Sequence, residues 1–208
     1  MAQECQICII DNDEAIRESL HLLLFADGLS SCTYESADAF LANEKREQFD
    51  CMLLDIRMPG TDGLELFSIL RQDQLQYPVI FITGHGDIPL AVSAIKQGAY
   101  DFLTKPFREG ELLAKVHAAI AHNRSNREQS QEEYELQARV DSCTPREHDV
   151  MRLLVRGLPN KGIAESLGIS PRTVEIHRAH VMEKMQADSL PELVRMVTQP
   201  YFSDFLDP

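Results

Sequence analysis

Short runs of β-branched and apolar residues alternate with segments of helical period through the first half of the chain. The runs at 6–10, 30–34, 51–54, 79–83 and 100–103 read as strands. Residues 14–25, 37–43, 63–70, 88–97 and 109–123 repeat their apolar positions at helical spacing. Strand and helix in strict alternation predict an α/β fold, a doubly wound parallel five-stranded (βα)5 sheet covered on both faces. Ligands of such sheets sit at the carboxyl ends of the strands. The first strand ends at Asp11, the third at Asp55, the fourth at Thr83, and the fifth runs into Lys105. Four polar side chains therefore converge on one edge.

The pattern changes after residue 122. The stretch HNRSNREQSQEEYELQARVDS is rich in polar residues and has neither Pro nor Gly, so a helix continuing from the one before it and a flexible tether both fit. Four short, well-punctuated helices follow. Thr144-Pro145-Arg146-Glu147 is a capping box, Gly157 ends that helix, and Pro159 lies near the start of the next. Gly168-Ile169-Ser170 makes a turn, Ser170-Pro171 caps a third helix, and Ser189 with Glu192 opens a fourth. The expected organisation is a first domain over 1–122, a partly helical linker over 123–142, an all-α four-helix domain with a helix-turn-helix over 143–199, and a tail over 200–208 without a readable pattern.

Composition narrows the function classes. With 44% hydrophobic and 25% charged residues the 208-residue chain is globular. No apolar stretch approaches the ~20 residues that cross a bilayer, and the start MAQECQICIIDNDE lacks a basic segment followed by a long apolar core. A cytoplasmic protein without membrane partners is expected. The net charge of -13 excludes bulk attraction to nucleic acid, so any DNA contact must be local. Of the five cysteines, Cys5 and Cys8 form a Cys-x-x-Cys pair. On a strand that offset puts the two thiols on opposite faces, about 10 Å apart, too far for a disulfide, and no second pair completes a zinc site.

The residues on the sheet edge suit phosphoryl transfer. Asp55 is the expected nucleophile and acceptor, Thr83 donates its hydroxyl to one phosphoryl oxygen, and Lys105 pairs with another. Thr83 alone reads as an ordinary strand residue and Lys105 alone as a solvated lysine; their joint placement favours the site. Lys105-Pro106 is a candidate cis bond that would aim the lysine inward. His85, between two glycines, reads as a loop residue.

The segments IIDNDEAIRESL, LLDIRMPGTDGLEL, VIFITGHGDIPLAV and GAYDFLTKPF resemble a CheY-like receiver of a two-component system, and TGHGDIPLAV is similar to the FixJ subgroup. That resemblance implies that Asp55 accepts phosphate from a sensor histidine kinase. It further implies Mg2+ held by Asp11, the next position, Asp55 and the backbone carbonyl of Arg57. The next position is Asn12, where these receivers usually carry a second acid. Asparagine ligates through its carbonyl oxygen but removes one charge, which Asp13 is placed to restore. Phe102 occupies the place of a switching aromatic in related receivers, and a plain core residue would look the same.

In the third C-terminal helix, Val174, Val181 and Met185 share one stripe. The opposite face carries Arg172, Ile176, Ala179 and Glu183, with Glu175 and His180 beside it. Such a face suits the major groove: Glu accepts from cytosine, Arg donates to guanine, and Ile or Ala meets a thymine methyl. Thr173 belongs to the same DNA-facing set, while Lys161, Arg178 and Lys184 are expected at phosphates. This region resembles the LuxR-type helix-turn-helix through TPRE, GLPNKGIAESLGIS and PRTVEIHRAHVMEKM. Together the two halves resemble a NarL/FixJ-family response regulator. The resemblance implies a transcription regulator that binds double-stranded DNA, acts on RNA polymerase as an activator, and forms a homodimer on phosphorylation. The alternatives are a phosphorylation-independent DNA binder whose first domain serves as a dimerisation module, and an enzyme with an external substrate. No second reactive constellation supports the enzyme; the only turnover expected is that of the phosphate on the protein's own aspartate.

Overall fold

The computed structural model describes residues 6–43, 49–74, 77–84, 87–199 and 202. The chain divides into two compact units, Met1–Arg127 and Glu128–Pro208. Cys5, with the Cys5–Cys8 question, and His85 lie outside the described residues.

The first unit is built on five parallel strands: β1 (Ile7–Ile10), β2 (Ser31–Tyr34), β3 (Cys51–Asp55), β4 (Val79–Thr83) and β5 (Asp101–Thr104), in the order β2-β1-β3-β4-β5. Every residue of β1, β3 and β4 is buried, as expected of central parallel strands covered on both faces, whereas the edge strands β2 and β5 are only half-buried. One face of the sheet packs on α1 (Glu14–Ala26) and α5 (Glu109–Asp141) through Leu20, Leu24, Leu112 and Val116. The other packs on α2 (Ala37–Leu41), α3 (Gly63–Gln72) and α4 (Ile88–Lys96) through Phe40, Leu66, Phe67, Ala91 and Ala94. The strand order reverses between β1 and β3, which opens a crevice beyond their carboxyl ends. Asp11 and Asp55 stand there. Cys8 and Cys51 are buried free thiols, pushed well above the usual thiol range by that burial, so they take no part in thiolate chemistry.

The polar stretch after residue 122 is helical as far as Asp141, where α5 ends. Gln129 to Glu133, Gln131 to Glu135 and Gln137 to Asp141 are hydrogen bonds at i,i+4 spacing that support it.

The second unit contains α6 (Pro145–Val155), α7 (Asn160–Leu167), α8 (Pro171–Met185) and α9 (Leu190–Val197). The capping box is formed in both directions: Glu147 N donates to Thr144 Oγ1, and Thr144 N donates to Glu147 Oε2. Gly168 ends α7 at a φ of 65°, the left-handed conformation that a glycine adopts without penalty. Val174, Val181 and Met185 are fully buried, so the apolar stripe of α8 faces its neighbours. Phe202, from the tail that carried no readable pattern, is buried against Met185, Leu193 and Val197.

Candidate functional site

Parallel strands that end in register bring the polar residues of the first unit together. Asp11 and Asp55 are buried, and Lys105 Nζ donates to Asp11 Oδ2 and to Asp55 Oδ1, 2.8 Å each. The second oxygen of Asp55 accepts from the backbone N–H of Arg57 at 2.9 Å. Burial raises the Asp55 carboxyl above its ordinary value, against the pull of Lys105. Burial alone would lower the Lys105 amine, but its hydrogen bonds to Asp11 and Asp55 outweigh that and hold it high. The lysine is thus a permanent cation between two carboxylates. The Lys105-Pro106 bond is cis.

The close fit of α3 depends on Gly63. A Cβ at that position would lie 2.1 Å from the Asp55 carbonyl oxygen, so the helix can abut the strand end only where the side chain is missing. Sequence reasoning missed this role, although Asp62-Gly63 directly before a helical run was a readable signal. Thr83 is buried, and its hydroxyl donates to the Gly84 carbonyl at 3.1 Å. Phe102 is half-buried on the cluster that includes Phe81, which leaves a core role and a switching role both open.

Asn12 and Asp13 are exposed. Asp13 Oδ1 accepts from Ala15 N and Ile16 N, making it the N-cap of α1. Among the described residues no three His, Cys, Asp or Glu side chains group as a metal-holding set. The structure therefore joins Asp11 and Asp55 and directs an Asp13 oxygen to the helix. Arg57 extends its side chain to Asp87, a residue that sequence reasoning did not single out.

In the second unit, Arg172, Glu175, Ile176, Ala179 and His180 are exposed on α8, with Ile176 47% exposed despite its apolar side chain. Arg172 Nη1 lies 3.4 Å from Glu175 Oε2, and Thr173 is held at the helix start by Ser170. Lys161 is exposed in the first turn of α7, whose N-terminus has no side-chain cap, and Arg178 Nη1 reaches Asn160 Oδ1 at 3.3 Å. Asn160, unremarked from sequence, thus stands beside Lys161 and the first-turn amides of a helix without a side-chain cap, a group suited to a phosphate.

Lys184 has a structural partner that its place on α8 did not suggest. Expected at phosphates, it is here engaged within its own unit, where its amine donates to Glu147 Oε2 at 2.7 Å and to the Ser142 carbonyl at 2.9 Å while the side chain stays 33% exposed. Glu147 is 4% exposed, and His180 Nδ1 lies 3.3 Å from its other oxygen. The Lys184 amine holds the Glu147 carboxyl down at about 2, in spite of burial. Lys184 ties α8 to the start of α6.

No helix among the described residues is long and apolar enough to cross a membrane. Residues 7–117 match the model of the response regulator receiver domain, and residues 141–197 that of bacterial regulatory proteins of the luxR family. The transcriptional regulatory protein FixJ of Bradyrhizobium diazoefficiens is 45% identical over 196 residues, 94% of this chain and 96% of that protein. The response regulator protein TodT of Pseudomonas putida is 43% identical over 91% of this chain and 84% of its own length. Among solved structures, the response regulator StyR superposes with a TM-score of 0.85 at 40% identity, covering 92% of this chain and 96% of that one. Full-length FixJ from B. japonicum gives 0.59 at 46% identity, covering 92% and 94%.

Proposed function

Because the chain belongs to the response regulators that join a receiver domain to a LuxR-type DNA-binding domain, we propose that it is a transcription regulator switched by phosphorylation of Asp55. The observation that carries this reading is the lysine held 2.8 Å from each of two buried carboxylates at the crevice of the sheet. An Asp55 oxygen bonds to phosphorus as the phosphorus–nitrogen bond of a phosphohistidine on a sensor kinase breaks, and the electron pair returns to the imidazole. Lys105 then pairs with one phosphoryl oxygen, and Thr83, on leaving Gly84, donates to another.

Asp11, Asp55, the side-chain oxygen of Asn12 and the carbonyl of Arg57 are hard oxygen donors of the kind Mg2+ takes, and Asp13 adds charge beside them. The ion would offset the repulsion between the acceptor carboxylates and the incoming phosphoryl group. Asn12→Asp restores a charge that the site lacks, and it is expected to tighten Mg2+ binding and speed labelling by a small-molecule phosphodonor. Titration of Mg2+ into both proteins, followed by labelling rates, checks this. Equal affinities would mean that Asp13 already supplies the missing carboxylate.

The exposed face of α8 is the proposed base-reading surface in double-stranded DNA, with Lys161, Asn160 and Arg178 at phosphates. Arg172→Ala and Glu175→Ala should each relax preference at one or two base positions, by about 1–3 kcal/mol of discrimination per position. Affinity measured over a library of half-sites tests this, and unchanged base preference in both variants would put another face in the groove. A phosphorylation-driven dimer on two related half-sites would combine two weak contacts and so present the regulator to RNA polymerase. Operator binding and sedimentation with and without phosphodonor plus Mg2+ test the whole scheme. A protein that takes no label and binds DNA equally well in both conditions would establish the second reading, a phosphorylation-independent DNA binder with the receiver as a dimerisation module, which Asn12 favours.

A further inference from the structure

Asp87 directly precedes α4, where an aspartate ordinarily accepts a hydrogen bond from the first helical turn. Asp13 before α1 and Asp62 before α3 do this, with ψ of 112° and 169°. Asp87 does not. Its ψ is 3° and it makes no side-chain cap. Its carboxylate, 12% exposed, turns to Arg57 instead, whose Nε and Nη2 both lie 2.7 Å from Oδ1. With Pro89 unable to donate, the amide of Leu90 is the group that a capping carboxylate would take.

Two links connect this pair to Asp55. The backbone N–H of Arg57 donates to Asp55 Oδ2, while the Thr83 hydroxyl and the Asp87 N–H share the Gly84 carbonyl, each at 3.1 Å. Negative charge gained at Asp55 attracts both the Arg57 guanidinium, on a side chain 70% exposed and held on Asp87, and the Thr83 hydroxyl. Each move takes a partner away from Asp87 or from the carbonyl it holds.

We propose that the Arg57–Asp87 pair is a latch that withholds the N-cap of α4, and that charge at Asp55 releases it. Asp87 has two discrete arrangements, carboxylate on Arg57 with ψ near zero, or carboxylate on Leu90 N–H with the backbone extended, and the two sites bias the choice between them. α4 carries the exposed side chains Val92 and Ile95, so resetting its first turn changes how an apolar face is presented. The proposal rests on the reading of Asp55 as the phosphoacceptor.

Amide exchange at Leu90, followed by NMR on the full chain, tests it. Arg57→Ala in the unphosphorylated protein should slow that exchange about fivefold, the scale of one side-chain cap, and adding Asp87→Ala should abolish the slowing. Unchanged or faster exchange in Arg57→Ala overturns the latch. Phosphodonor with Mg2+ should make the wild type match Arg57→Ala; a labelled protein with Leu90 unaltered would overturn the coupling. Should Arg57→Ala slow Leu90 while the wild type takes no label, the latch stands and the phosphoacceptor reading falls.

Discussion

Asp55→Asn is expected to reduce phosphodonor labelling to background while leaving the first unit about as stable as before. Asparagine keeps the size of the side chain and has no nucleophilic carboxylate. Of the two hydrogen bonds that Asp55 accepts, from Lys105 and from Arg57 N, the single amide oxygen can keep one. The loss of the other costs about 1 kcal/mol, offset by no longer burying a charge, and Lys105 retains Asp11. The pH dependence carries a sign. Burial raises the Asp55 carboxyl in the folded state, so the folded protein holds that proton more tightly than the unfolded one, and stability is lost as pH rises from about 4 through the raised value. The asparagine variant lacks that loss. Denaturant titrations at pH 4 and pH 7 should therefore show the variant gaining on the wild type at the higher pH. A hydroxylamine-labile label persisting on the variant would remove Asp55 from its role.

The central strands of the receiver were legible because a parallel strand buried on both faces must be a nearly continuous apolar run, and the first polar residue after that run marks its carboxyl end. That rule sets Asp11, Asp55 and Thr83 on one edge, and Lys105, just past β5, joins them. The caps at Thr144, Ser170 and Ser189 were legible for a similarly local reason, since the interaction spans only three residues. What stayed hidden depends on partners distant in sequence. Nothing beside Asp87 in the chain announces its partner, because Arg57 stands thirty residues earlier. Asp62-Gly63 marks a helix start, but the reason it must be glycine is the Asp55 carbonyl that lies against it. The outward direction of a long side chain is equally unreadable: Lys184 lies off the buried stripe of α8, yet its four-carbon stem carries the amine back across to α6.

That amine underlies the second large effect. Lys184→Met keeps the stem and removes the charge, leaving the Glu147 carboxylate buried with the Thr144 N–H at 2.8 Å, the Thr144 hydroxyl and His180 Nδ1 at 3.3 Å, but without its lysine. Breaking one side of a buried pair strands the other, and a loss of roughly 3 kcal/mol from the second unit at neutral pH is expected. Adding Glu147→Gln should recover most of it, because the uncompensated charge is then gone. The folded Glu147 carboxyl, at about 2, lies below its ordinary value. Its contribution is therefore fully present above about pH 4.5 and lost as pH falls toward 2. In Lys184→Met that acid-induced loss should shrink, so the two proteins converge in stability at low pH. Thermal unfolding of the full chain at pH 7 and pH 3, followed by circular dichroism, measures both. At a temperature where the variant is folded, the slope of DNA affinity against salt should match the wild type. A slope shallower by about one unit with the melting temperature unmoved would return Lys184 to the phosphates.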